Sequence, residues 1–267
     1  MTRLPPTLLP NSPVSGNPLD SSTGGPVGRP LEGFAPNTSS LTDSRIVRLL
    51  TDMAVSDAVV SHQSFVGSLG NFIDFSGSVA LSLAHEKLPN TVFQPGESSE
   101  EAIKDNFLQV RRSIVKAIIQ SFIPSEDYLR LKLPSPDIAL NAEGEYATPI
   151  NVELYHRFYL SHQREMDFRI QNLLLDVRAS VSGISLELAQ LCALDETLNS
   201  TLSTHIKRLY GVIPKLLEKR FNILLSDSRM PSEKRLGQFC HELQSLLLAE
   251  LELRLLPTLG LIDALSE

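Results

Sequence analysis

Glu153 and His156 stand three residues apart in "NVELYHRFYL". Glu-x-x-His is the element that bundle-type di-iron proteins carry on two helices, with further glutamates on two more. His162 and Glu165 follow shortly after, so two carboxyls and two imidazoles lie on one helical stretch. Side chains three apart on a helix are neighbours and could hold one ion together. One reading is therefore a helical metal- or ligand-binding bundle enzyme using Glu153, His156, His162 and Glu165. The motif occurs once, however, because His62, His85, His162, His205 and His241 have no Glu three residues before them. A solvated helix face is the favoured reading, with no cofactor and no metal expected.

Other chemistry is weaker still. His241-Glu242 begins like a zincin motif, but Ser245 stands where the second ligand histidine must be. No phosphate-cradling Gly-x-x-x-x-Gly-Lys-Ser/Thr loop and no Gly-x-Ser-x-Gly elbow is present, and "GSLG" at Gly67–Gly70 falls within a helical stripe. Cys240 adjoins His241, yet adjacent helix positions point about 100° apart, and a buried inert thiol is the commoner case. Cys192 is the only other cysteine, too few for a disulfide framework or a zinc site. No catalytic residue is expected, and the chain is read as not an enzyme.

The elements that carry these residues read as all-α. Residues 1–42 are rich in Pro, Gly and Ser without helical or strand periodicity and are expected to be a disordered tail. A short-helix region over 43–132 follows, with stripes Ile46, Val47, Leu50, Met53, Ala54 and then Phe65, Val66, Leu69, Phe72, Ile73. In "FSGSVALSLAHEKLP" the small residues Gly77, Ser78, Ala80, Ser82 and Ala84 would let a neighbouring backbone come close. Ser98 with Glu101 predicts a capping box for a helix whose core face is Ile103, Phe107, Val110, Ile114, Ile118 and Phe122.

Residues 133–148 read as a loop, and 149–267 as a long-helix hairpin or coiled-coil-like bundle. Thr148 and Pro149 predict its start as N-cap and first helical residue. The stripe from Met166 through Ile170, Leu173, Val177, Val181, Ile184 and Leu188 to Leu191 keeps phase near an 11-residue period, which matches a nearly straight helix, with Gly183 its likeliest interruption and continuity across that residue left open. Gly211 and Pro214 predict a kink further on. The fold expected is a helical bundle with long antiparallel helices in its C-terminal half.

The last helix, starting near Ser232, is apolar over more than half its circumference and must be covered on two sides. Leu243, Leu247, Leu251 and Leu255 are its candidate interaction stripe, packing on the chain itself or on a second copy. Partners are thus expected through Leu-rich helices, as a protein partner or a homo-oligomer. The formal charge of −7 disfavours nucleic acid, whose affinity rests on clustered cations. Neither a signal peptide nor a transmembrane segment is read, since Glu250, Glu252 and Arg254 interrupt the Leu-rich run, and a cytoplasmic location is expected.

"SHQSFVGSLGNFIDFSGSVALSLA", "YLSHQREMDFRIQNLL", "LCALDETL", "LLEKRF" and "LLLAELELRLLPTLGLIDAL" occur in this order over most of residues 43–265. Together they resemble an uncharacterised proteobacterial family, domain of unknown function 3348. The resemblance implies a helical fold and a bacterial origin, and carries over no catalytic residue. Its association with envelope-anchored, flagellar-stator-like neighbours implies a place in the cytoplasmic part of an envelope-associated complex. The function expected is a noncatalytic helical scaffold or adaptor.

Overall fold

The computed structural model describes residues 45–53, 73–124, 131–135 and 150–266. The expected tail, the stripe at Phe65–Phe72, the "GSLG" glycines and most of the 133–148 loop lie outside the described residues. Helices form at Arg45–Asp52 (α1), Phe75–Lys87 (α2), Glu100–Ser121 (α3), Val152–Val181 (α4), Leu186–Tyr210 (α5), Ile213–Ser226 (α6) and Ser232–Asp263 (α7). Short 3-10 turns follow α2 and α7, and there is no strand among the described residues.

Local chemistry sets the starts. Ser99, not Ser98, caps α3 by accepting from the Ala102 amide at 3.2 Å, and with alanine at that third position the expected capping box with Glu101 gives way to a single N-cap bond one residue later. Asn151 caps α4 by accepting from Glu153 N–H at 3.0 Å. This corrects the start read at Thr148 and Pro149: the helix begins at Val152, where a side-chain acceptor meets the free amides.

The long stripe is cut at Gly183, its likeliest interruption. α4 stops at Val181, the chain turns through residues 182–185, and Ser185 caps α5. The reason is tertiary: Gly96 N–H donates to the Gly183 carbonyl at 2.8 Å, and a Cβ on Gly183 would lie 2.8 Å from Gly96 Cα. Only two glycines let these backbones meet. At the second expected irregularity, α5 ends at Tyr210 and α6 begins at Ile213, giving a break rather than a kink.

Side-chain pairs fix the directions. Arg220 grips Glu242 at 2.6 and 2.7 Å and Arg235 reaches the Leu225 carbonyl, so α6 and α7 are antiparallel. Arg169 to Ser113 at 2.6 Å and His162 to Ser121 at 3.0 Å make α3 and α4 antiparallel, as Arg178 with Asp195 does for α4 and α5. α4 and α7, joined by Tyr159–Glu250 and Arg254–Asp167, run parallel.

α7 is the centre of the bundle, packed by α1, α3, α4 and α6. Leu243 and Leu247 are 0% exposed, Leu251 1% and Leu255 3%. The candidate interaction stripe, whose cover the sequence left open between the chain itself and a second copy, is buried inside the subunit, where α4 and α6 cover two sides of a helix apolar over more than half its circumference. A partner must meet other residues. Phe221, Phe239 and Tyr155 fill the same core, with ring centroids 5.0 to 5.9 Å apart.

α2 lies to one side against α5, its Gly77 seated on Thr201, as the small residues of that segment predict. The Gln190 amide donates to the Leu88 carbonyl at 2.9 Å and closes the far end of the pair.

Candidate functional site

Glu153, His156, His162 and Glu165 do not converge. Glu153 and His156 share the first turns of α4, with His156 Nδ1 3.6 Å from Glu153 Oε2, while Glu153 Oε1 accepts from Arg157 at 3.2 Å. His162 points the other way, into the core, and is 3% exposed. Glu165 is half-buried one turn further on. Among the described residues no three His, Cys, Asp or Glu side chains gather as a metal set.

His162 instead meets Ser121 at the C-terminal end of α3, with Nε2 3.0 Å from Oγ. A serine beside an imidazole raises the question of a nucleophile and its base. The Ser121 hydroxyl is directed to the Ile118 carbonyl at 2.7 Å, which leaves its oxygen to accept from the Nε2–H tautomer. Phe158 packs edge-on against the ring with centroids 4.6 Å apart, and burial lowers the imidazole pKa to about 4. A neutral, donating, enclosed histidine is a core group that joins two helices.

The densest polar cluster lies where α4, α7 and the end of α5 meet. Tyr159, Gln163 and Asp167 step by four along one face of α4, and Glu250 and Arg254 do so on α7. The Glu250 carboxylate is 0% exposed. Its Oε2 accepts from the Tyr159 hydroxyl at 2.6 Å and from Gln163 Nε2 at 3.1 Å. Its Oε1 accepts from the same Gln163 nitrogen at 3.0 Å and from Arg254 at 2.8 and 2.7 Å. Arg254 then reaches Asp167 at 3.0 Å and lies 3.8 Å over the Tyr210 ring.

Gln163 has a second task. Pro214 has no amide proton to return to the Tyr210 carbonyl four residues earlier. Gln163 Nε2 donates to that carbonyl at 3.1 Å.

Chemically this cluster is closed. Both Glu250 oxygens are taken by donors from three side chains and neither reaches solvent, so no acceptor is left for a substrate proton. Burial, reinforced by the Glu250 charge, drives the Tyr159 phenol pKa well above its usual range, and burial takes Tyr210 to about 12. Both phenols stay protonated. The network joins three helices, in the manner of buried ionic groups whose hydrogen bonds are all met.

Sequence reasoning missed this cluster by treating Glu250 and Arg254 only as breaks in an apolar run. The signal was present. Glu250 follows Leu243 by seven and Leu247 by three, which places it on the leucine face, and an i, i+4 Glu–Arg pair there must find polar partners on a neighbouring helix.

Cys240 does not form an activated thiol with His241: burial pushes it up to about 11, as burial does Cys192. Glu242, the zincin-like carboxylate, is held by Arg220, which also donates to the Met53 carbonyl at 3.0 Å and ties α1 to α6 and α7. No helix among the described residues is long and apolar enough to cross a membrane.

One outer surface differs from all of these. Residues 75–84 of α2 carry no charge, and of this helix only Gly77 is buried. Phe75 is 85% exposed, Val79 42% and Leu83 48%. They step by four, so they form one apolar stripe on the side away from α5.

Comparison with curated proteins and with solved structures finds no match. The family model described as a protein of unknown function, DUF3348, matches residues 34–267, nearly the whole chain beyond its Pro-rich start, and by that match the chain belongs to the DUF3348 family.

Proposed function

We propose that this chain is a noncatalytic helical adaptor of the cytoplasm that binds protein through the outer face of α2. The observation that carries the proposal is the uncharged stretch 75–84 of α2, with Phe75, Val79 and Leu83 turned outward on an acidic chain. α5 covers one side of this helix, and the apolar stripe lies on the other. An exposed apolar stripe of this kind marks protein contacts more often than chemistry. The closed Glu250 network and the Ser121–His162 pair support the same reading, since both join helices and neither presents a free acid, base or nucleophile. The envelope-associated setting implied by the family resemblance belongs to this proposal.

Light scattering on a sizing column, together with affinity capture using the full chain as bait, tests it. The expected result is a self-associated particle or a specific partner, either one lost on Val79→Glu. A strictly monomeric particle from which no partner is recovered would overturn the adaptor reading.

A further inference from the structure

We propose that the outer face of the corner between α5 and α6 docks on an anionic lipid surface. The inference does not depend on the α2 face and concerns a different part of the bundle. Lys207 and Arg208 end α5, Lys215 and Lys219 open α6, and all four are exposed. Among the described residues none of their side chains has an ion pair or hydrogen bond, whereas Arg45, Arg157, Arg178 and Arg254 each hold a carboxylate. Residues 207–219 thus carry four of the chain's 24 basic groups and one of its 31 acids, Glu218, on a chain of net charge −7.

Helix stability does not account for them. Cations at the end of α5 complement its macrodipole, but Lys215 is the third residue of α6, where the positive end of a helix favours an acid. α6 has neither an acidic residue in its first turn nor a side-chain cap. That end of the helix adds to the positive field instead of being neutralised.

The face is also apolar. Gly211 and Val212 keep right-handed helical torsions, so the outward line continues across the corner as Arg208, Val212, Lys215, Lys219 and Ile223, in steps of four, three, four and four. The opposite line, Ile213, Pro214, Leu217, Phe221 and Leu224, is the one buried in the core. Val212, Ile223 and the neighbouring Leu209 are each about half exposed.

Cations interleaved with protruding aliphatic side chains suit one class of surface best. A single-stranded nucleic acid would be met by stacking rings, and this line has none. An acidic protein is met mainly by arginine, whose planar fork matches a carboxylate, and protein interfaces are poor in lysine. Three of the four cations here are lysines, point charges on flexible stems that suit a diffuse layer of phosphate groups. The aliphatic side chains can then enter the boundary below the headgroups. Screening over roughly 8 Å at physiological salt confines the contest to groups near the surface, so the acidic remainder of the chain does not cancel the attraction.

Co-sedimentation of the full chain with vesicles tests this. Vesicles of phosphatidylcholine with about 40% phosphatidylglycerol should carry the protein down, and vesicles of phosphatidylcholine alone should not. Each basic group near such a surface changes partition about fivefold, so Lys215→Gln with Lys219→Gln should weaken binding about 25-fold, with circular dichroism and Tm unchanged. Leu209→Ser with Val212→Ser, which leaves the charge alone, should weaken it about tenfold, a loss that purely electrostatic adsorption would not show. Val79→Glu should leave vesicle binding unchanged, which separates this face from that of α2.

Absence of binding to the anionic vesicles overturns the proposal. So does equal binding to neutral ones, full binding by the lysine or the serine variant, or loss of binding on Val79→Glu. Capture of an acidic protein through the same lysines, with vesicles ignored, puts a different partner in place of the lipid and overturns it as well.

Discussion

Glu250→Ala removes the acceptor on which Tyr159, Gln163 and Arg254 converge. The consequences for the three donors differ. Arg254 keeps Asp167 and its stack on Tyr210, so its charge is not stranded. Gln163 keeps the Tyr210 carbonyl. Tyr159, 0% exposed, loses its acceptor outright, at a cost of about 1–3 kcal/mol for an unsatisfied buried donor. Adding the weakened charge-assisted bonds of Arg254 and the space left by one methylene and the carboxylate gives about 4 kcal/mol in total. For a folded region of this size that is a fall in Tm of roughly 10 °C. Urea unfolding followed by far-UV circular dichroism measures it. The triple change Tyr159→Phe, Glu250→Met, Arg254→Met removes the polar groups together and should cost less than Glu250→Ala alone, since buried ion pairs are often replaceable by apolar groups. A single-site cost below about 1 kcal/mol, or a triple variant less stable than the single, would refute the account of the network as an interdependent buried set.

Other expectations can be checked in the same assay. His162 has its pKa lowered to about 4 from 6.5 by burial, so folding favours the neutral ring. Its stabilisation is complete above pH 6.5 and is lost as pH falls toward 4, by about 3 kcal/mol, and His162→Gln should remove that part of the acid slope relative to wild type. Gly183→Ala forces a methyl into the Gly96 backbone and should cost about 1–3 kcal/mol, with hydrogen exchange quickening first at residues 94–98 and 180–185. Leu247→Ala, in the bundle core, should lower stability by about 2–5 kcal/mol without changing the association state, whereas an interface role would change association first. Exchange rates unchanged at the glycine pair, or a Leu247 variant that dissociates while its subunit stays fully stable, would contradict these assignments.

Helix existence was legible because the apolar periodicity of α3, α4 and α7 is long and regular. Of the core face read as Ile103, Phe107, Val110, Ile114, Ile118 and Phe122, the four at 103, 107, 114 and 118 are buried, and Val110 and Phe122 pack partly buried against the same core. Helix ends were less legible. The stripe from Met166 to Leu191 stays in phase through a reversal of direction, because the turn at Gly183 is set by Gly96, some 90 residues earlier, and periodicity holds no information about such a contact. The leucines of α7 could be ranked as buried, but not assigned to subunit core or interface, since both give the same pattern. The Glu250 network was hidden for a related reason: its members are spaced as ordinary helix-face residues on two separate helices, and only the parallel packing of α4 on α7 brings them together.

The bond from Gln163 to the Tyr210 carbonyl spans 47 residues to finish a corner that Pro214 leaves incomplete. A corner finished by its own residues could form in an isolated peptide, but this one waits for α4 to arrive. The angle between α5 and α6 is therefore a property of the assembled bundle, and a fragment covering α5 and α6 alone would contain every residue of the turn and still lack the group that holds it. Since α5 carries α2, the attitude of the outward apolar stripe is governed from within the core, and loosening Gln163 would be felt at a surface it never touches.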